Sequence, residues 1–394
     1  MLKIQEFLEC FDNVVEASRY LKKNLRIETR PHLIDGEYYV FSFIPDKKAD
    51  LSNPIVKETN LLILDEDREV LAKAWNFPDV VTRPSRMPAY FSFGKENHSE
   101  EMPDGDLIVI YNIDGKWYIC NRESPIGVTN SGFSHEEETI KLLEKRFGQW
   151  DKPFKNTNPL MCFIFCLVHP DNQKIMPIKS PELYLMGVIN LDNYQEISYN
   201  TVNELANKMG FARPATTEIN GTNSLLNRLR RMRTLSPGLM LRDKALNRIF
   251  LPNPIYVAMQ KAMVAGSHIM VGHVASILQA CRDKADVETI NVSYKKIGPM
   301  LSLLWKVKED LWSELAMLWG VASKTKTMIE FATKVEHHPL NHILFMCRDN
   351  KISSIRDGLD NLKPIKLYSF AKRRRPAEYR SAVGKLKEDG NNGE

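Results

Sequence analysis

The sequence has little that would build a metal centre, a disulfide framework or a membrane span. Its six cysteines (Cys10, Cys120, Cys162, Cys166, Cys281, Cys347) are scattered, and no two form a C-x-x-C pair. That argues against a zinc ribbon or a dithiol redox motif. No uncharged apolar run reaches membrane-spanning length. The N-terminal stretch MLKIQEFLECFDNVVEASRYLKK is amphipathic and carries acids, unlike a signal peptide. No internal repeat is visible. Charge of one sign is also scarce: the net of +5 permits a polyanionic partner without requiring one. The expected setting is soluble and reducing, the cytoplasm.

What is present is a chain of 394 residues, long enough for two or three domains. Residues 1–60 read as a helix followed by a strand, EYYVFSFIP. From about Asn60 to Pro254 the pattern is strand-rich. NLLILDEDREVLAKAW reads as a hairpin. DLIVIYNIDGKWYICNRE reads as a second, turning at Asp114-Gly115. HEEETIKLLEKRFGQW is an amphipathic helix with Ser134 as N-cap. PLMCFIFCLVHP and ELYLMGVINL are buried strands, TVNELANKMGF and SLLNRLRRMR are helices, and SPGLMLRDKALNRIFLP is a further hairpin. After about Tyr256 the spacing becomes helical throughout. The expected organisation is a domain over 1–256, a helical domain over 257–370 and a flexible basic tail over 371–394.

Taken in order, the landmarks of the strand-rich half resemble the nucleotidyltransferase domain of phage-type ATP-dependent RNA ligases. MPAYFSFGKEN resembles the family's K-F-F-N-x-x-E segment, and EMPDGDL falls on E-K-x-D-G-S-L. CFIFCLVHPDNQKIM falls on N-F-E-F-V-x-P-x-N-x-I-V, SPGLMLRD on D-E-G-x-V-L-R-D, and RIFLPNPIYVAM on R-x-K-x-K-N-P-x-Y-V-x-L. The resemblance covers roughly residues 58–260. It implies an α+β fold of antiparallel sheets followed by an all-α C-terminal domain.

The resemblance also implies a chemistry. A lysine attacks the α-phosphate of ATP to form a lysyl-adenylate, and the AMP then passes to an RNA 5′-phosphate. Carboxylates hold the ribose and a divalent metal, and two lysines on the last strand neutralise phosphate. Here the nucleophile's place is held by Met102, whose thioether cannot form a phosphoramidate. The ribose-binding Glu becomes Ile164, and the metal-supporting Glu becomes Pro237. The two phosphate lysines become Phe250 and Pro252. Retained are Asp104, Gly105, Gly238, Arg242, Asp243, Asn253, Pro254 and Tyr256. Five charged groups replaced by non-ionisable ones at inward-facing positions imply a closed pocket and a pseudoenzyme.

The candidates for nucleic-acid contact are Arg228, Arg230, Arg231 and Arg233 on the short basic helix, and Lys372, Arg373, Arg374 and Arg375 in the tail. The alternative for each group is a solvated basic surface. His338 and His342 have i, i+4 spacing, but Pro339 stands between them and no third ligand is evident, so with His337 they are expected to be structural. His268 and His273 are expected to be packed histidines. Trp305, Trp312 and Trp319 fall seven apart, along one helical stripe expected to be core.

The expected function is a catalytically inactive, RNA-ligase-like protein that binds RNA or a protein partner. No metal and no cofactor is expected. The alternatives are an active or rewired ligase using ATP and Mg with another amine, such as Lys95 or Lys174, and a structural or assembly component. If phage-encoded, it would act in the host cytoplasm.

Overall fold

The N-terminal stretch that reads as one helix folds as two. The computed structural model, which describes residues 1–94, 97–127, 132–265 and 269–387, has α1 at Lys3–Leu8 and α2 at Val14–Tyr20. Between them the Asn13 side chain accepts from the Glu16 backbone N–H at 2.9 Å and restarts the helix. Lys95, His268 and the chain end from 388 lie outside the described residues.

The chain divides into two compact units, Met1–Pro252 and the residues from Asn253 onward. In the first, β1 (Ile27–Ile34), β2 (Tyr38–Pro45), β3 (Ile63–Asp65) and β4 (Val70–Ala72) form an antiparallel sheet in sequence order, with α3 at Pro54–Glu58. The strands β5 (Asp79–Val80), β6 (His98–Glu101), β7 (Asp106–Ile113) and β8 (Lys116–Asn121) follow, then α4 (His135–Phe147). Next come β9 (Met161–Val168), β10 (Glu182–Asn190), β11 (Gln195–Glu196), α5 (Tyr199–Met209), β12 (Thr216–Glu218) and α6 (Thr222–Arg231). The hairpin β13 (Gly238–Arg242) and β14 (Arg248–Pro252) closes the unit.

The second sheet has the order β11-β10-β9-β7-β8, and the third has the order β12-β6-β13-β14-β5. Among the described residues, all pairings between these strands are antiparallel except β14 with β5, and Tyr184 of β10 makes one isolated parallel bridge to Ala212. The β7–β8 turn has Asp114 at φ 48° and Gly115 at φ 89°, the left-handed pair that a two-residue hairpin turn needs. One face of the second sheet packs on the first sheet around Val109, Tyr111, Ile164, Ile63 and Ala72. Its other face carries α4 and α5 over Phe154, Phe163 and Phe165. The third sheet buries Leu239, Leu241, Ile249 and Leu251 against Leu225 of α6. Strand alternation therefore leaves Met240, Arg242, Arg248 and Phe250 on the opposite face.

The second unit is helical: α7 (Pro254–Val264), α8 (Val271–Ala280), α9 (Lys284–Ser293), α10 (Gly298–Ala322), α11 (Met328–Val335), α12 (Asn341–Arg348), α13 (Ile355–Asp360), α14 (Pro364–Arg374) and α15 (Pro376–Lys387). Two expectations are corrected here. The residues expected to be a flexible tail form the end of α14 and all of α15 down to Lys387. Ala371, Ala382 and Leu386 are buried there, and that apolar anchoring is what orders the segment. The tryptophan stripe of α10 is not core. Leu301, Leu304, Leu311 and Leu315 take the buried side, Trp312 is exposed, and Trp305 and Trp319 are half-buried. The α+β class and the helical C-terminal region are as expected.

Candidate functional site

The Asp104-Gly105 turn is held by the protein's own backbone. The Asp104 carboxylate, 1% exposed, accepts from the Ile175 N–H at 2.8 Å and also from that of Met176. A Cβ at position 105 would collide with the Leu167 carbonyl, so only glycine lets β7 start beside β9. The D-G pair here has an architectural role that needs no nucleotide.

Met102 precedes that turn. Its N–H donates to the Gly238 carbonyl at 3.0 Å, and its half-buried side chain packs on the cluster between the first and second sheets. Ile164 is fully buried in the same cluster, flanked along β9 by Cys162 and Cys166. Burial pushes both thiols up, Cys162 to about 12 and Cys166 further, so neither is a ready thiolate. Phe250 and Pro252 share one face of β14, and Pro237 leads into Gly238. A Cβ at Gly238 would meet the Phe250 ring at 2.9 Å and the Leu251 carbonyl closer still. These five positions therefore present thioether, aliphatic, aromatic and pyrrolidine groups, with no amine, carboxylate or phosphate-pairing cation.

Charge lies instead on β6 and on the far end of the β13–β14 hairpin. Glu100 and Glu101 are both 3% exposed and, as neighbours in a strand, point to opposite faces. Glu100 pairs with Arg213 at 2.8 Å, yet its carboxyl is raised above the usual range because burial outweighs the nearby arginines. Glu196 chelates Arg248 through both oxygens and pairs with Arg242 at 3.1 Å. The Arg248 guanidinium also lies 4.3 Å from the centre of the Trp75 ring. Sequence reasoning missed this layer. The available signal was a Glu-Glu doublet beside an apolar hairpin bounded by Arg242 and Arg248.

Two of the proposed nucleic-acid ligands on α6 and its exit are held by the second carboxylate. Arg228 reaches Glu101 at 3.0 Å with its side chain 13% exposed, and Arg233 reaches it at 2.7 Å. Arg230 and Arg231 are exposed at the end of α6. On α14, Arg374 pairs with Glu314 at 2.9 Å, and Arg375 pairs with Asp310 at 2.8 Å. Lys372 and Arg373 are exposed, with the Arg373 guanidinium 5.2 Å from the Phe370 ring. In each basic group two members are thus held in ion pairs with carboxylates of the same unit.

Lys174, an alternative amine, pairs with Asp106 at 3.1 Å and donates to Asn172 at 2.8 Å. The Asp106 carboxyl is held far below the usual range. Burial opposes this, but hydrogen bonds from His135, Lys174 and Asn172 outweigh it. His338 precedes α12 and takes the Leu340 N–H at 3.1 Å, whereas His342 is inside that helix, so the two do not share a helical face. Among the described residues no group of three or more His, Cys, Asp or Glu could hold a metal ion. Among them, too, no helix is long and apolar enough to cross a membrane.

No protein-family model and no curated protein matches the sequence. Among solved structures, the chain is similar to an archaeal ATP-dependent RNA ligase (form 2), with a TM-score of 0.51 and 9% identity, over 86% of this chain and 89% of that one. It is also similar to a putative ATP-dependent DNA ligase from Aquifex aeolicus, with a TM-score of 0.43 and 11% identity, over 95% and 80%. The first likeness is one of fold alone: a mixed α+β chain with antiparallel sheets and a helical C-terminal region.

Proposed function

We propose that this is a ligase-fold protein that binds nucleic acid and does not form a lysyl-adenylate at the position of Met102. One observation carries the reading. Where the resemblance calls for the nucleophile and the ribose carboxylate, Met102 and Ile164 pack into one apolar cluster, and Ile164 is fully buried. A charged nucleotide entering that cluster would have to displace close-packed aliphatic groups. Phe250 and Pro252 remove the two cations that would neutralise phosphate. A phage origin and action in the host cytoplasm belong to the same proposal.

Contact with nucleic acid is assigned to exposed members of the basic groups: Arg230 and Arg231 on α6, Lys372 and Arg373 on α14. Each is exposed and has the charge to meet phosphate. Incubation with α-labelled ATP and Mg²⁺ or Mn²⁺, followed by denaturing electrophoresis, tests the catalytic half. No retained label is expected. Label that maps to Lys95, Lys174 or any other lysine would establish a rewired ligase instead. A salt series with single-stranded RNA tests the other half, because phosphate contacts weaken steeply as salt rises. The double substitutions Arg230→Glu/Arg231→Glu and Lys372→Glu/Arg373→Glu should each reduce binding. RNA affinity absent at low salt would leave a structural or assembly role. Deleting residues 371–394 is a poor test, because it removes buried side chains of α14 and α15.

A further inference from the structure

The two arginines that close the basic run of α14 are engaged from within the second unit. α14 stops at Arg374. Arg375 leaves helical backbone at φ −136° and ψ 60°, and Pro376, with no N–H to continue the helix, opens α15. The break carries two consecutive arginines to two successive turns of α10. Arg374 donates to Glu314 through both terminal nitrogens, one bond at 2.9 Å, and Arg375 donates to Asp310 at 2.8 Å. Asp310 and Glu314, four positions apart, share one face of α10 and lie roughly 6 Å from each other along its axis. Arg375 also pairs with Glu378 of α15 at 2.9 Å, and Lys306 reaches the same side chain at 3.6 Å. His338 approaches Glu314 at 3.4 Å.

These pairs are open to solvent. The Arg374 and Arg375 side chains are 29% and 28% exposed, and those of Glu314 and Asp310 44% and 42%. A cavity of about 640 Å³ opens against them, with Ser313, Pro376 and Ala377 as the rest of its wall. An ion pair at such exposure gains little net free energy and is screened by salt. A run of phosphates entering the cavity therefore competes for the arginines without unpacking the core. Two carboxylates one helical turn apart offer a guanidinium pair what a strand offers, anionic oxygens at a set spacing.

We propose that Asp310 and Glu314 form an autoinhibitory latch: they occupy Arg374 and Arg375 in place of phosphate and hold nucleic-acid binding by α14 below what its charge allows. The inference rests on the proposed contact of α14 with nucleic acid and adds how that contact is regulated. With the latch closed, Lys372 and Arg373 make the first contacts. With it open, Arg374 and Arg375 join them.

The test is fluorescence anisotropy of the full chain with a labelled single-stranded RNA of about 20 nucleotides, across a salt series. Asp310→Asn/Glu314→Gln should tighten binding by roughly three- to tenfold at low salt. It should also steepen the fall of log affinity with log salt by about 1.4, for two added contacts at ~0.7 each. Glu314→Gln alone should retain part of the gain. Glu288→Gln/Glu330→Gln, which removes the same charge from exposed acids of α9 and α11, should change binding by less than about twofold. Adding Arg374→Ala/Arg375→Ala to the first variant should abolish its gain. The latch is overturned if the first variant, with its circular dichroism intact, binds no tighter than the parent. It is also overturned if the Glu288 and Glu330 control gains as much, or if the gain survives loss of both arginines. If Lys372→Glu/Arg373→Glu still weakens the parent in those cases, the contact on α14 stands and only its regulation falls. RNA affinity absent from the parent and the first variant alike overturns both.

Discussion

Replacing Lys73 by methionine should change stability in a way that depends on pH. Burial pushes the Lys73 ammonium from the ordinary 10.5 down to about 8, with the Glu58 carboxylate opposing the fall. The unfolded lysine keeps its proton up to the ordinary value. Between the two values the unfolded chain therefore holds more protons than the folded one, and stability rises with pH. Below the lower value the folded state carries the full cost of a buried charge, on the order of 3 kcal/mol at ~1.36 kcal/mol per pH unit. Raising the pH from about 7 to about 9.5 relieves roughly 2 kcal/mol of it. The methionine variant has no such cost, so other titrating groups cancel when the two proteins are compared. Its stability relative to the parent should fall by about 2 kcal/mol over that range, a shift of roughly 4–8 °C in melting temperature for a unit of this size. Urea and thermal unfolding followed by circular dichroism at several pH values would measure it. A difference that stays flat with pH would refute the burial of a charged Lys73.

Glu196→Gln should cost about 3–5 kcal/mol, read as a fall in melting temperature, because Arg242 and Arg248 would remain buried without their carboxylate; a loss under about 1 kcal/mol would contradict the buried charge layer. Gly105→Ala should destabilise the first unit by more than about 2 kcal/mol in urea unfolding, since the added methyl meets the Leu167 carbonyl and backbone cannot yield cheaply. Met102→Lys should not produce a labelled adenylate with α-labelled ATP, because Ile164, Phe250 and Pro252 still deny the nucleotide its partners; label on that lysine would show that one substitution alone had silenced the site.

Much of the fold could be read from the residues because strand and hairpin signals are local. The Asp114-Gly115 turn, the apolar runs of β9 and β10 and the helical spacing after Tyr256 each depend on neighbours within a few positions. The site was legible only in part. Met102 and Ile164, at the places where the resemblance implies a lysine and a glutamate, could be read once the resemblance set a register. The consequence, that both join one apolar cluster, needs two sheets brought together. The basic helix was legible as charge, but not as charge of which Arg228 and Arg233 are held by Glu101.

The sequence by itself determined the order of elements, the turn glycines and the absence of a reactive amine at Met102. These follow from backbone preference and side-chain chemistry, which are properties of a residue and its near neighbours. Tertiary structure alone decided which charges are buried. Glu196 meets Arg248 across 52 positions, and Arg228 meets Glu101 across 127. It also carried Lys73 and Lys244, 171 positions apart by number, to one cavity. No local pattern encodes such pairings, because a charge is stabilised by whatever the fold brings within a few ångströms of it.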